Sequence, residues 1–328
     1  MKLLFIFTGG TIGSTLSGEY ISTDNNKPYA ILSAYNKKYG IDFKYDSIEP
    51  YTILSENGTG KELKLLAQAV LSNLNKNYDG IIITHGTDTL QYSASAISYS
   101  VGLNSIPVVF VSSNYPIENP IANGLENLKG GIEFIKNKLG KGVFVSYKNQ
   151  TGNLQIHRAT RLLHSKSLCD EVYSLKNGFY GEFDNNFKFI KSALYSEKQD
   201  EISTLSIDNI SDFSSEILWL NQYAGMPYPK LDNSVKYILI NAYHSGTINT
   251  ASNSAKEFFM QAKNKGIKVF ITGVTNGIGY KSTEFFNEYN ILPIYDISPI
   301  SAYIKLWLIS GLNLDISLLN KSLGGDIV

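Results

Sequence analysis

Residues 2–7 read KLLFIF and run directly into the turn TGGTIG at residues 8–13. A second stretch repeats this arrangement, with GIII at residues 80–83 followed by THGTDTL at residues 84–90. A short β-branched, apolar run that ends in a turn places the turn at the carboxyl end of a parallel strand, where open α/β sheets bind ligands. Glycine lets backbone N–H groups approach a ligand, and threonine offers a hydroxyl that acts as a nucleophile once activated. The two turns therefore predict one site that contains two threonines and a carboxylate.

Strands and helices alternate through the first two thirds of the chain. Helical spacing at residues 63–75 leads into the strand at 80–84, and further helices are expected at 92–101 and 122–137. Alternation of this kind requires right-handed crossovers and produces a parallel sheet. The sequence thus predicts an α/β fold with a mainly parallel, doubly wound sheet.

The periodic pattern loosens over residues 195–234 and returns with YILI at 237–240. We therefore expect an N-terminal α/β domain at 1–194, an interdomain linker at 195–234 and a smaller C-terminal α/β domain at 235–328. The site is expected to lie in the larger domain.

Composition excludes several classes of function. Lys and Arg together number 29, as do Asp and Glu, so no basic excess indicates nucleic acid or an acidic membrane surface as a partner. The single cysteine, Cys169, rules out an intrachain disulfide, and the four histidines show no metal-ligand spacing. The apolar start is too short for a secretory signal, and no stretch approaches the ~20 apolar residues that span a bilayer. We expect a cytoplasmic protein without metal or cofactor.

Each turn also has a simpler interpretation. The first is a common tight strand-to-helix turn, and its spacing does not fit the G-x-G-x-x-G dinucleotide pattern. In the second, Asp88 is suited to bind a substrate ammonium, but Asp and Thr are also frequent helix caps. His85 is expected to be a structural histidine, hydrogen-bonded behind the turn.

Taken together, the two turns resemble the signatures of the bacterial-type L-asparaginase family, TGGTI-G and HGTDT, in its divergent cytoplasmic type I-like form. Both are present letter for letter and in the same order. The resemblance continues at residues 55–57, 78–80 and 109–113, and in the second domain at 272–277 and 299–308, so that it covers most of the chain.

The resemblance implies hydrolysis of a side-chain amide, most simply L-asparagine to L-aspartate and ammonia. Thr11 would be the nucleophile that forms an acyl-enzyme, and Tyr20 would hydrogen-bond it. Thr87 would hold or activate the attacking water, and Asp88 would fix the substrate ammonium.

The remaining groups would bind the substrate rather than react with it. Ser55 and Glu56 would contact its amino-acid end, with Ser55 at the carboxylate. Backbone N–H groups of the turns containing Gly10 and Gly86 would stabilise the oxyanion.

Two departures from the family pattern bear on this assignment. The family carries a lysine that pairs with the Thr–Asp turn, but no single register over residues 158–172 supplies one, because counting falls on Arg161, Leu163 or His164. Lys166 or His164 would replace it, or the base is lost. In the second departure, Asn123 stands where the family has an acidic residue.

The turn at residues 244–247 resembles one that closes the site of a neighbouring subunit, which implies a homodimer or homotetramer. Three alternatives remain open at this point. One is hydrolysis of glutamine or a modified amide, another is a catalytically weak ligand-binding protein on the same fold, and the third is a nucleotide-binding protein.

Overall fold

A computed structural model describes residues 1–10, 14–17, 20–23, 30–166, 168–208, 210, 212–213, 216–277 and 279–328, with residues 14–17 and 20–23 described by their backbone alone. The strands in chain order are β1 (Lys2–Phe7), β2 (Ser14–Ser17), β3 (Tyr20–Thr23), β4 (Lys44–Ile48), β5 (Gly80–Thr84), β6 (Val108–Val111), β7 (Val143–Lys148), β8 (Leu154–Arg158), β9 (Gly181–Phe183), β10 (Phe189–Lys191), β11 (Ile217–Asn221), β12 (Tyr237–Asn241), β13 (Lys268–Val274) and β14 (Ile291–Tyr295). The helices are α1 (Ala30–Tyr39), α2 (Gly60–Leu71), α3 (Leu90–Val101), α4 (Gly124–Lys136), α5 (Asn253–Asn264), α6 (Glu284–Glu288) and α7 (Pro299–Gly311).

The larger of the described sheets has eight strands in the order β10-β9-β8-β7-β6-β5-β1-β4. Strands β4, β1, β5, β6 and β7 run parallel, whereas β8, β9 and β10 extend the sheet in antiparallel pairs. The chain passes from β1 to β4 on one side and then returns to β5 on the other side of β1. This reversal is a topological switch point, where open α/β sheets form a crevice at the carboxyl ends of the strands.

Alternate side chains of the parallel strands enter two hydrophobic cores, one on each face of the sheet. Leu4 and Ile81 pack on the face covered by α2, α3 and α7, whereas Leu3 and Ile82 pack on the face covered by α1 and α4. Both faces are buried, as the continuous apolar runs of β1 and β5 require. The predicted α/β fold with a mainly parallel, doubly wound sheet is confirmed.

A second described sheet, entirely parallel, has the order β11-β12-β13-β14. It joins the larger sheet through α7, which packs on α3. The hydroxyl oxygens of Ser95 and Ser301 lie 2.9 Å apart, and the Tyr99 hydroxyl donates to the Ser301 carbonyl at 3.1 Å. Strand β11 falls within residues 195–234, which the sequence pattern assigned to a linker. The division of the chain into these three segments remains a prediction.

Residues 14–17 and 20–23 pair as the antiparallel hairpin β2–β3, directly after the first turn. Thr11 lies outside the described residues, and Tyr20 is described only as the first residue of β3. No helix in the described part of the chain is both long and apolar enough to cross a bilayer.

Candidate functional site

The two glycine-rich turns lie side by side at the switch point. Phe7 at the end of β1 pairs with Thr84 at the end of β5, and the Thr8 hydroxyl donates to the Thr84 carbonyl at 2.7 Å. Gly10 has φ +77°, and a Cβ built on it would overlap the backbone N and Cα of Gly86. Only glycine fits this close backbone-to-backbone contact, because a side chain at Gly10 would push the turns apart.

A third segment, residues 53–57, joins both turns. The backbone N–H of Ile53 donates to the carbonyl of Thr8 at 3.2 Å, and the N–H of Gly10 donates to the carbonyl of Ile53 at 3.0 Å. The N–H of Gly10 is therefore already bonded within the fold. The contribution of Gly10 to the site is the close approach of the turns.

Ser55 begins the short 3-10 helix Ser55–Asn57 and connects this segment to the second turn. Its hydroxyl donates to Oδ2 of Asp88 at 3.3 Å, and the Thr89 hydroxyl donates to the Ser55 carbonyl at 2.8 Å. A Cβ on Gly86 would lie 2.6 Å from Cβ of Ser55. Ser55, Gly86 and Asp88 thus meet at the start of α3, where the helix dipole favours anionic groups.

His85 lies behind the second turn. It is 4% exposed, its Nδ1 donates to the carbonyl oxygen of Gly86 at 2.9 Å, and its ring packs edge-on against Phe110. Burial lowers the pKa of His85, so the imidazole is neutral near pH 7. These contacts are those of a histidine that supports the backbone of the turn.

The larger of two neighbouring cavities has a volume of about 540 Å³, and we call it the aromatic cavity. Its lining includes polar groups of the turns and the 53–57 segment, among them Ser55, Gly86 and Asp88. It also includes seven ring side chains: Tyr51, His85, Tyr92, His164, Phe213, Trp219 and Tyr303. The charged side chains among its described lining residues are all carboxylates: Glu56, Glu62 and Asp88.

The second cavity, of about 310 Å³, lies on the other side of Asp88 and His164, which line both cavities. Thr87 and Lys166 line it together with the acidic residues Asp170 and Glu171. The Lys166 ammonium lies 4.9 Å from the centre of the Tyr173 ring.

The two candidate bases, Lys166 and His164, thus line the same cavity as Thr87. Desolvation by surrounding side chains lowers the pKa of His164. A neutral imidazole at this position is able to accept a proton.

The structure groups the predicted residues as follows. Ser55, Glu56, Gly86 and Asp88 line the aromatic cavity; Thr87, Asp88 and Lys166 line the second. Gly10 abuts Gly86, whereas Thr11 and the side chain of Tyr20 lie outside the described residues.

Two other residues and one turn singled out in the sequence make hydrogen bonds within the fold. Arg161 is fully buried, and its Nε donates to the Gly325 carbonyl at 2.8 Å. The Asn123 side chain donates to the Lys148 carbonyl at 2.8 Å. In the turn at 244–247, the N–H of Gly246 donates to the carbonyl of Tyr243 at 2.8 Å.

Sequence reasoning missed the aromatic side of the site. Trp219 lies on β11 and Tyr303 on α7, both distant in sequence from the signature turns. Trp219 is one of only two tryptophans in the chain, but no motif connects it with residues 84–90. Only the packing of α7 on α3 reveals that these rings face the same cavity as Asp88.

Known proteins resemble this chain in sequence and in fold. The family model described as "Asparaginase, N-terminal" matches residues 2–194. The chain is 25% identical over 265 residues to a glutamyl-tRNA(Gln) amidotransferase component of Methanosphaera stadtmanae, an alignment that covers 78% of this chain and 60% of that relative. The chain thus spans about three fifths of that relative's length.

Two solved structures share the fold over nearly the entire chain. The thermostable L-asparaginase from Thermococcus kodakarensis superposes with a TM-score of 0.77 at 21% identity, covering 100% of this chain and 99% of that one. The probable cytoplasmic L-asparaginase from Campylobacter jejuni superposes with a TM-score of 0.73 at 20% identity, covering 97% and 98%. At this level of identity the likeness establishes the fold.

Proposed function

Because the chain belongs to the asparaginase family, which comprises amidohydrolase-type enzymes, we propose that it hydrolyses the side-chain amide of L-asparagine to L-aspartate and ammonia. The main support is the contact between the turns at Gly10 and Gly86, with Ser55 and Asp88 beside them. This contact brings both signature turns to one point, as a reaction that needs a nucleophile and a water-activating group requires.

In the first half of the proposed reaction, the Thr11 hydroxyl attacks the amide carbon of the substrate. Tyr20 hydrogen-bonds Thr11 and assists transfer of its proton, and backbone N–H groups of the Gly86 turn stabilise the oxyanion. The carbon–nitrogen bond breaks, ammonia leaves with the transferred proton, and the acyl group remains as an ester on Thr11.

In the second half, a water molecule held by Thr87 attacks the ester. Lys166 accepts a proton from this water through Thr87, and return of a proton to Thr11 releases the carboxylate product. Lys166 lines the same cavity as Thr87, which supports this role. His164 is the second candidate for the base, because it lines that cavity as well and its pKa is lowered.

The substrate is held by its amino-acid end. Asp88 would receive the ammonium, since a carboxylate at the cavity wall pairs with a cation. Ser55 and Glu56 would contact the same end, because both line the aromatic cavity next to Asp88.

We further propose that the protein acts in the cytoplasm as a homodimer or homotetramer. The turn at 244–247 does not contribute to the described lining of either cavity in its own chain, which leaves it able to reach the site of a neighbour. The relative that is one component of an amidotransferase offers the alternative that this chain assembles with a different partner.

Replacement of Thr11 by alanine tests the proposal. The variant should lose ammonia release from L-asparagine while retaining the wild-type circular dichroism spectrum. L-Glutamine, assayed in parallel, distinguishes hydrolysis of another amide. Undiminished turnover by the variant would remove Thr11 as nucleophile, and stabilisation by L-aspartate without turnover in the wild type would indicate a binding protein.

A further inference from the structure

Four side chains that line the aromatic cavity pack against one another, and we call them the ring wall: Tyr92, His164, Trp219 and Tyr303. Trp219 stacks on Tyr303 with ring centres 4.9 Å apart and planes 17° apart, and the ring centre of His164 lies 5.3 Å from that of Trp219. Tyr92 packs edge-on against all three rings. The wall is therefore rigid and apolar, and it offers an aromatic ligand group edge-to-face contacts.

Trp219 contributes its ring, and not its N–H, to this wall. Its Nε1 is buried and has no acceptor among the described residues, so a ligand in the cavity does not reach it. The contact offered to a ligand is therefore that of an apolar ring.

The charge of the cavity restricts the ligand further. Glu56, Glu62 and Asp88 contribute carboxylates, and no lysine or arginine is present among the described lining residues. An ammonium group is favoured here, because it pairs with carboxylates at the cavity surface. The volume of about 540 Å³ lies in the range of cavities that enclose molecules larger than a single amino acid.

We propose that the aromatic cavity is a subsite for a peptide that begins with asparagine and continues with an aromatic residue. This proposal rests on the proposed function, since the bond hydrolysed is still the asparagine side-chain amide and the peptide bond stays intact. The free ammonium would lie beside Asp88, and the second side chain would pack against the ring wall.

The test compares three amides: L-asparaginyl-L-phenylalanine, L-asparaginyl-L-alanine and free L-asparagine. We expect kcat/KM for ammonia release to be about ten-fold higher for the phenylalanine dipeptide than for the alanine dipeptide, from the contact of the phenyl ring with the ring wall. Trp219→Leu should abolish this preference, and Trp219→Phe should retain most of it, because it keeps an aromatic ring. The matched control, Trp307→Phe, removes the buried indole of the core and should keep the preference.

Binding provides a readout that does not depend on turnover. Trp219 and Trp307 are the two tryptophans of the chain, so Trp307→Phe leaves Trp219 as the only indole. Titration with the phenylalanine dipeptide should change its fluorescence at concentrations where L-asparagine does not. If Trp307→Phe fails to fold, the same titration compares wild type with Trp219→Phe.

The possible outcomes distinguish failure of the subsite proposal from failure of the proposed amidase activity. Ammonia release with no dipeptide preference, or a preference that survives Trp219→Leu, would overturn the subsite and leave the amidase intact. Absence of ammonia from every amide would overturn the proposed function. In that case, selective fluorescence binding of the phenylalanine dipeptide would still support the subsite, and its absence would overturn it.

Discussion

Replacement of Gly10 by alanine probes the contact on which the candidate site depends. Gly10 has φ +77°, and a Cβ at this position would overlap the backbone N and Cα of Gly86 and lie 3.0 Å from the carbonyl carbon of His85. These are backbone atoms at the end of a buried strand, so they cannot rotate away as a side chain does. The turns must separate if the methyl group is to fit.

The expected loss of folding stability in Gly10→Ala is the sum of two separate costs. Alanine at positive φ is strained by about 1–2 kcal/mol, and overpacking against backbone adds about 1–3 kcal/mol. Gly40 provides the control, because its φ is +78° but nothing lies within 4 Å of a Cβ built on it. Gly40→Ala should therefore lower the free energy of unfolding by the strain alone, and Gly10→Ala by about 2–5 kcal/mol.

The assay pairs urea denaturation with ammonia release from L-asparagine. Gly10→Ala should also lose activity by a factor on the order of 100, because a displacement of about 1 Å disrupts the alignment of reacting groups. Gly40→Ala should keep wild-type kcat/KM. Equal stability and equal activity of the two variants would show that the turns do not touch as described.

Asp88→Asn removes the carboxylate proposed to hold the substrate ammonium, so kcat/KM for L-asparagine should fall by about ten- to a hundred-fold, chiefly through KM, in steady-state assays. Lys166→Met should lower kcat by about two orders of magnitude or more, and His164→Gln by less; the reverse ranking would assign the base to His164. Burial lowers the pKa of His157 to about 3, below its ordinary 6.5, so the unfolded chain binds more protons between these values and stability rises with pH there. The free energy of unfolding should thus drop by about 2 kcal/mol from pH 7 to pH 5 through this group, a dependence that urea titrations of His157→Gln should lack.

The parallel core of the fold could be predicted because its sequence signals are local. The apolar runs of β1 and β5 end at glycine-rich turns, and the periodicity at 63–75 and 92–101 matches α2 and α3 to within a few residues at each end. The antiparallel extension β8–β10 could not be predicted in the same way. Strands β9 and β10 have three residues each, too few for a period-two pattern to stand out.

Local motifs also predicted which of the candidate site residues lie together, whereas the roles of these residues stay predictions. Ser55, Gly86 and Asp88 belong to short motifs that carry their own chemistry, and they line one cavity. The replacement for the family lysine could not be chosen from the sequence, because the described residues of the 159–171 segment, 159–166 and 168–171, form no regular strand or α-helix that would fix a register. Arg161, one of the positions at which the family register places the lysine, instead donates its Nε–H to the carbonyl of Gly325.

The ring wall shows that the N-terminal part of the chain does not supply all the residues of this site. The family match ends at residue 194, but Trp219 comes from the second sheet and Tyr303 from α7. The hydrogen bonds between α3 and α7 hold Tyr303 against Tyr92, at 6.4 Å between ring centres, and Trp219 stacks on Tyr303 in turn. Under the proposed function, the signature turns therefore supply the groups that act on the amide, whereas the groups that surround the rest of the substrate depend on how the second sheet packs against the first.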